Sequence, residues 1–213
     1  MSGLVFKDLM ILRKQGKAYL LILGVYAALA LAGVFDYSII SSMMVVLLMM
    51  MPMATFSYDD LARWDKYAAS MPVGRAGIVK SKYITTIVIT GGAAVLCLAV
   101  NIIITAVGLD EMSFGVLSLA LVGCLDIGLL INAVVLPLMF KYGAEKARGM
   151  TMAVLLVIFI LVFGVSALLG EIGLEKLSER AIVFSPLLMA LAAVGSMLLS
   201  YRIALRIYTK KDL

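Results

Sequence analysis

The chain contains no histidine. That absence removes imidazole acid–base catalysis, histidine metal ligation and the usual nucleophile–base pairs, and it argues against intramembrane metalloproteases. Cysteine is nearly absent too. Cys97 and Cys124 both lie inside apolar runs, giving neither a disulfide framework nor a metal-ligand spacing, and they read as small buried hydrophobes. No G-x-x-x-x-G-K-[ST] loop or dinucleotide-binding glycine fingerprint occurs, so the chain has no ordinary means of binding ATP. Charge is scarce, at 15% of residues, and neither an internal repeat nor a low-complexity linker is visible.

What fills the 213 residues is apolar side chain: 64% are hydrophobic, and the mean hydropathy is +1.12. A soluble domain of this length needs far less, so the expected class is an all-α polytopic membrane protein, with residues 1–213 forming one membrane domain. The net charge of +5 does not indicate nucleic acid, because the basic residues flank apolar runs instead of forming a stripe. A spanning helix needs about 20 mainly apolar residues. Six segments qualify: Ala18–Phe35, Tyr37–Phe56, Tyr83–Gly108, Phe114–Phe140, Thr151–Gly170 and Ala181–Ile203. The first lacks a small-residue cleavage site and reads as a retained span. A tight hairpin at Asp36 joins the first two. Residues 1–17, with Val5, Leu9 and Leu12 on one face and Lys7, Arg13 and Lys14 around it, read as an interfacial helix.

Six spans put both termini and the loops at 57–82 and 141–150 on one side. Of the 18 Lys and Arg, all but Lys176 and Arg180 then fall on that side, which the positive-inside rule assigns to the cytosol. Asp36, Asp110, Glu111, Glu171, Glu175 and Glu179 fall opposite.

The longest polar interruption, Ser57–Tyr83, carries the only Trp. Ser57 and Asp60 have the S-x-x-D spacing of a helix cap, with Asp59 and Asp60 in its first turn. Leu61, Trp64, Ala68 and Met71 recur at helical spacing on one face, and Pro72 and Gly74 end the helix. Such a helix either lies among lipid headgroups or offers its face to a second protein. Asp59, Asp60 and Asp65 favour the second use, since anionic inner-leaflet lipids repel them.

Within the spans, Asp126 is the residue whose burial is most expensive, at roughly 2.5–3.5 kcal/mol for an ionised carboxylate on the insertion scale. It is either a cavity group meeting a cation or proton, or a protonated structural Asp bonded to a neighbouring helix. Asn101 and Asn132 are cavity candidates whose simpler role is helix-to-helix hydrogen bonding. The methionines of the second span suit an adaptable apolar ligand surface or plain packing, and Gly91–Gly92, Pro52, Pro137 and Pro186 suit hinges or close packing. Lys141–Arg148 reads as a solvated turn.

The ordered elements LVFKDLMILRKQGK, TFSYDDLARWDKYAASMPVGRAGIVKSKY and LPLMFKYGAEKARG together resemble the small type 2 ABC exporter permeases of Gram-positive bacteria, in particular those of peptide-toxin exporters of the phenol-soluble modulin kind. The resemblance covers nearly the whole chain. It implies a six-span half-transporter that pairs with a second copy or a related permease and carries two separate ATP-binding subunits, which hold ATP and Mg while this chain binds no cofactor. Asp59, Asp60, Leu61, Arg63, Trp64, Lys66 and Tyr67 would form the coupling helix, and the cargo would be an amphipathic or hydrophobic peptide. The implied location is the bacterial cytoplasmic membrane. Three other readings stay open: an ion- or proton-coupled carrier using Asp126, a drug or lipid exporter permease, and a non-transporting membrane scaffold or immunity protein.

Overall fold

A computed structural model describes residues 2–32, 38–69, 74–107, 114–171 and 179–210. Every regular element among them is helical: α1 (Ser2–Leu31), α2 (Ser38–Leu61), α3 (Trp64–Ala69), α4 (Gly74–Val107), α5 (Phe114–Glu171) and α6 (Glu179–Thr209). Gly143, at φ 77° and ψ 172°, breaks α5 into two arms. That backbone region is open essentially to glycine alone, so the residue type sets the position of the break.

Among the described residues three stretches are long and apolar enough to cross a membrane: Gly74–Val100, Leu121–Val157 and Leu188–Thr209. The 34 residues of α4 extend about 50 Å, more than an upright crossing of a hydrocarbon core of about 30 Å requires. Leu21, Val95, Ile103, Leu156, Leu188 and Leu198 are all more than half exposed. Apolar surface of that extent is stable only against lipid or another protein. The expected hairpin at Asp36, the acidic residues Asp110, Glu111 and Glu175, and Met71 and Pro72 lie outside the described residues.

α5 is the central element, packing against α6, α2 and α4. One core cluster joins Met53 and Phe56 of α2, Ala68 of α3, Val79 and Tyr83 of α4, Leu136 and Phe140 of α5, and Tyr208 of α6. Aromatic edges lock it: Phe140 meets Phe56 at 4.9 Å and Tyr208 at 5.3 Å between ring centroids. Tyr83 and Ser200 share a buried 2.6 Å hydrogen bond that ties α4 to α6. A second cluster joins Leu12 and Leu23 of α1, Leu47 and Leu48 of α2, Ile89 of α4 and Leu121 of α5.

The contact between α2 and α5 has a specific polar cause. Pro52 sits inside α2 and has no N–H, so the carbonyl four residues earlier, at Leu48, receives no helical hydrogen bond. Asn132 of α5 fills the gap, its Nδ2 donating to the Leu48 carbonyl at 3.0 Å and to its own Gly128 carbonyl at 2.9 Å. Gly128 permits the approach, since a Cβ there would stand 3.0 Å from Leu48 Cδ1. A backbone carbonyl that water cannot reach needs such a donor.

Two local expectations are corrected. Ser57 is not a helix cap: α2 continues through it to Leu61, and its Oγ donates to the Met53 carbonyl at 2.9 Å. The apolar periodicity of α2 outweighs the local cap signal, and the short helix starts only at Trp64. Lys141–Arg148 is not a loop either. Helix continues on both sides of Gly143, with Ala144 and Ala147 buried and Lys141, Glu145, Lys146 and Arg148 exposed. The N-terminal segment is continuous with the following apolar turns in α1, and the side it buries runs through Leu4, Asp8 and Leu12.

Candidate functional site

The site is the corner where α2 ends and α3 begins. α2 closes with Ala62 N–H on the Tyr58 carbonyl at 3.0 Å and Arg63 N–H on the Asp60 carbonyl at 3.1 Å. Arg63 takes a left-handed φ of 49°, a conformation that costs a non-glycine residue about 1–2 kcal/mol. The chain then turns into the six residues of α3. Asp59 and Asp60 therefore sit at a helix C-terminus, where the dipole disfavours negative charge. Other elements supply the compensation.

Asp59 is buried in a closed cluster of alternating charge. Its Oδ1 accepts from Lys7 Nζ of α1 at 2.6 Å, and its Oδ2 lies 2.6 Å from Lys82 Nζ of α4. Lys82 also donates to Asp8 Oδ1 of α1 at 3.0 Å, and Lys7 closes the ring to Asp8 at 3.3 Å. Thr85 Oγ1 approaches Asp8 Oδ2 at 3.5 Å. The side chains of Asp8, Lys82 and Asp59 are 1%, 5% and 9% exposed, so three of these charges are almost wholly removed from solvent. Two positive and two negative charges cancel, and each is held by two partners, which is the condition under which buried ions are tolerated. Lys7 Nζ also stands 4.3 Å from the Trp64 ring centroid and Lys82 Nζ 4.8 Å from that of Phe56. One cluster thus joins α1, α2 and α4 and holds the first residue of α3.

Asp60 fastens the corner in a second direction. Its Oδ2 accepts from the Ala144 N–H at 2.6 Å, capping the α5 arm that starts after Gly143, where a helix N-terminus attracts a carboxylate. One turn further on, Arg148 Nη2 donates to Ser57 Oγ at 2.8 Å. A cleft of about 640 Å³ opens here, lined among others by Gln15, Tyr58, Leu61, Tyr142 and Lys146.

The residues expected to form a coupling surface divide into two groups. Leu61 is 83% and Tyr67 70% exposed, and Arg63 is exposed beside them. Asp59 faces inward, and Trp64 is half-buried against the core while its ring stacks on Tyr67 at 6.5 Å. Asp60 is exposed but has one oxygen committed to α5. The expected apolar face is therefore split: Leu61 ends α2 and points to solvent, whereas Ala68 is fully buried. The side chain of Lys66 is outside the described part of the structure.

The intramembrane candidates are not part of this corner. Asp126 is 5% exposed, and its Oδ2 has no hydrogen-bond partner among the described residues. Asn132 is fully buried, with its amide nitrogen committed to the α2–α5 contact. Asn101 lies on α4, but its side chain is outside the described part of the structure. Among the described residues no group of Cys, Asp and Glu could hold a metal ion.

A family model described as ABC-2 family transporter protein matches residues 3–209. The chain belongs to that family. It is a multi-pass membrane permease subunit of an ABC transporter, and membership implies partnership with an ABC ATP-binding subunit. No curated protein and no solved structure matches the chain.

In this ABC-2 transporter protein, the residues that sequence reading did not single out are the internal partners of the corner. Asp8 and Lys82 are 74 residues apart in the chain, and local spacing carries no sign that they meet. A lone acid at position 8, among apolar and basic neighbours, was the available signal. Gly143 had another: it follows the long apolar run at the point where charged residues begin, and glycine is common just past a helix C-terminus.

Proposed function

We propose that this ABC-2 transporter protein is the membrane half of an ATP-driven exporter, and that the α2–α3 corner is where an ATP-binding subunit grips it. The charged end of the bundle then faces the cytosol, with both termini on that side of a bacterial cell membrane and six spans per chain. One observation carries the reading: the corner is exposed on one side and anchored on the other. Leu61 and Tyr67 present apolar surface outward, while Asp59, Asp60 and Trp64 engage α1, α4 and α5 behind them. A push on the exposed side reaches three other helices within one side-chain layer. It meets charge pairs that resist separation, because parting a buried ion leaves it uncompensated.

Six helices are few to enclose a path, so two copies, or one copy and a related permease, would form it together with two ATP-binding subunits. ATP and Mg would reside on those subunits. The cargo that fits apolar spans with one buried carboxylate is an amphipathic or hydrophobic peptide, in line with the resemblance to peptide-toxin exporters. Cysteine placed at position 61 or 67 in a chain lacking Cys97 and Cys124 is expected to cross-link to the co-purified ATP-binding subunit. Absence of any such product, with cysteine at exposed Met152 cross-linking instead, would move the contact elsewhere.

A second reading rests on Asp126. A buried carboxylate oxygen without a partner among the described residues suits an ion- or proton-coupled carrier. Asp126→Asn separates the two: transport persists in the exporter and stops in the carrier.

A further inference from the structure

Between α4, α5 and α6 lies a groove of about 660 Å³. Ile87, Gly91, Leu129, Val194 and Leu198 line it, with Lys80 at one end. We propose that this groove seats one acyl chain of an anionic phospholipid, with Lys80 holding its phosphate; the assignment to the inner leaflet rests on the cytosolic placement of the charged end.

Three features converge on that occupant. The first is length. From Lys80 to Gly91 the α4 axis advances about 16 Å, which matches one leaflet, half of a hydrocarbon core of about 30 Å. The second is the wall. Two of its hydroxyls are already bonded, Tyr83 to Ser200 at 2.6 Å and Thr90 Oγ1 to the Thr86 carbonyl at 2.9 Å, and Tyr201 packs its ring edge-on against Tyr83. An extended peptide laid there would leave its own N–H and C=O groups without partners, whereas a hydrocarbon chain has none to satisfy. The third is charge. Lys80 is exposed at the mouth, Arg202 and Arg206 follow on α6, and neither α4 nor the last three turns of α6 contains a carboxylate. Lys82, two residues away, is no competitor because it faces the ion cluster. Of the residues lining the groove Lys80 alone is charged, so an anionic headgroup at its mouth meets a cation.

The probes are dioleoyl phosphatidylglycerol and dioleoyl phosphatidylcholine, added to delipidated protein and counted by native mass spectrometry. Wild type is expected to retain one phosphatidylglycerol in preference to phosphatidylcholine. Lys80→Ala should reduce that preference about fivefold, the effect of one cation near an anionic headgroup. Gly91→Phe should block both lipids, because the added side chain starts in open space and fills the groove without a backbone clash. Helical circular dichroism shows whether each variant remains folded, and Gly91→Ala, which leaves the groove open, should still bind. Equal retention of the two lipids in wild type, or unchanged binding in Gly91→Phe, overturns the proposal. So does a second copy of the chain cross-linking through position 198 in place of lipid. Labelling cysteine at position 80 with an impermeant maleimide, from each side of sealed vesicles, tests the orientation separately. Labelling from the exterior would refute the leaflet and the exporter topology while leaving groove occupancy to the lipid count.

Discussion

Asn132 offers a quantitative test of how the spans are held together, through the Leu48 carbonyl that Pro52 leaves without a donor. Asn132→Leu keeps a side chain of similar size but removes the amide that bonds this carbonyl at 3.0 Å. Leu48 is 2% exposed and Asn132 fully buried, so water offers no replacement. An unsatisfied buried acceptor costs up to about 1–3 kcal/mol, offset in part because the substitution also removes Asn132 Oδ1, itself buried without a partner among the described residues; side-chain bonds between membrane helices average about 0.6 kcal/mol. For a chain of this size the expected fall in Tm is about 2–12 °C, read by circular dichroism in detergent. Pro52→Ala restores the N–H that would bond Leu48 within α2. In that background Asn132→Leu should cost little, leaving a coupling of more than about 1 kcal/mol between the two sites. If Asn132→Leu costs the same in the wild-type and Pro52→Ala backgrounds, to within about 0.5 kcal/mol, the two residues are independent and the account of the α2–α5 contact is wrong.

The charge cluster predicts a similar non-additivity. Lys82→Met leaves Asp8 and Asp59 with only Lys7 and should cost about 3–5 kcal/mol, whereas adding Asp59→Asn leaves the Lys7–Asp8 pair at 3.3 Å and should recover much of it; a double variant less stable than the single one would contradict the closed ring. Gly143→Ala should lower stability by about 1–3 kcal/mol, since its φ of 77° is strained for any side chain and the new Cβ lies 3.2 Å from Asp60 Oδ2. Gly149→Ala, with open space around it, serves as the control and should cost nothing.

Much of the helical architecture was legible because apolar runs and their interruptions are local features. The polar stretch with Trp64 was recognisable as a short helix between apolar elements, but its start was misjudged by seven residues. Ser57 and Asp60 satisfy a cap motif, yet the core-facing Met53 and Phe56 carry α2 one turn past it. The acidic pair was expected to face a partner groove. Asp59 instead meets Lys7, 52 residues away, and Asp60 meets Ala144, 84 residues away. Charge complementarity across such separations has no periodicity to betray it. The role of Asn132 was half legible: helix-to-helix bonding was the simpler reading, but its partner became clear only when Pro52 and Gly128 were seen together.

Leu61 and Tyr67 are exposed on the outward side of the corner, and neither takes part in the charge pairs or the Asp60–Ala144 bond behind it, although Tyr67 does stack on the Trp64 ring. Substrate-stimulated ATP hydrolysis by the Leu61→Ala/Tyr67→Ala permease, reconstituted in vesicles with its ATP-binding subunit, is the most direct measurement. The account predicts normal membrane insertion, retained basal hydrolysis and loss of stimulation; stimulation equal to wild type would show that the ATP-binding subunit does not drive the permease through this corner.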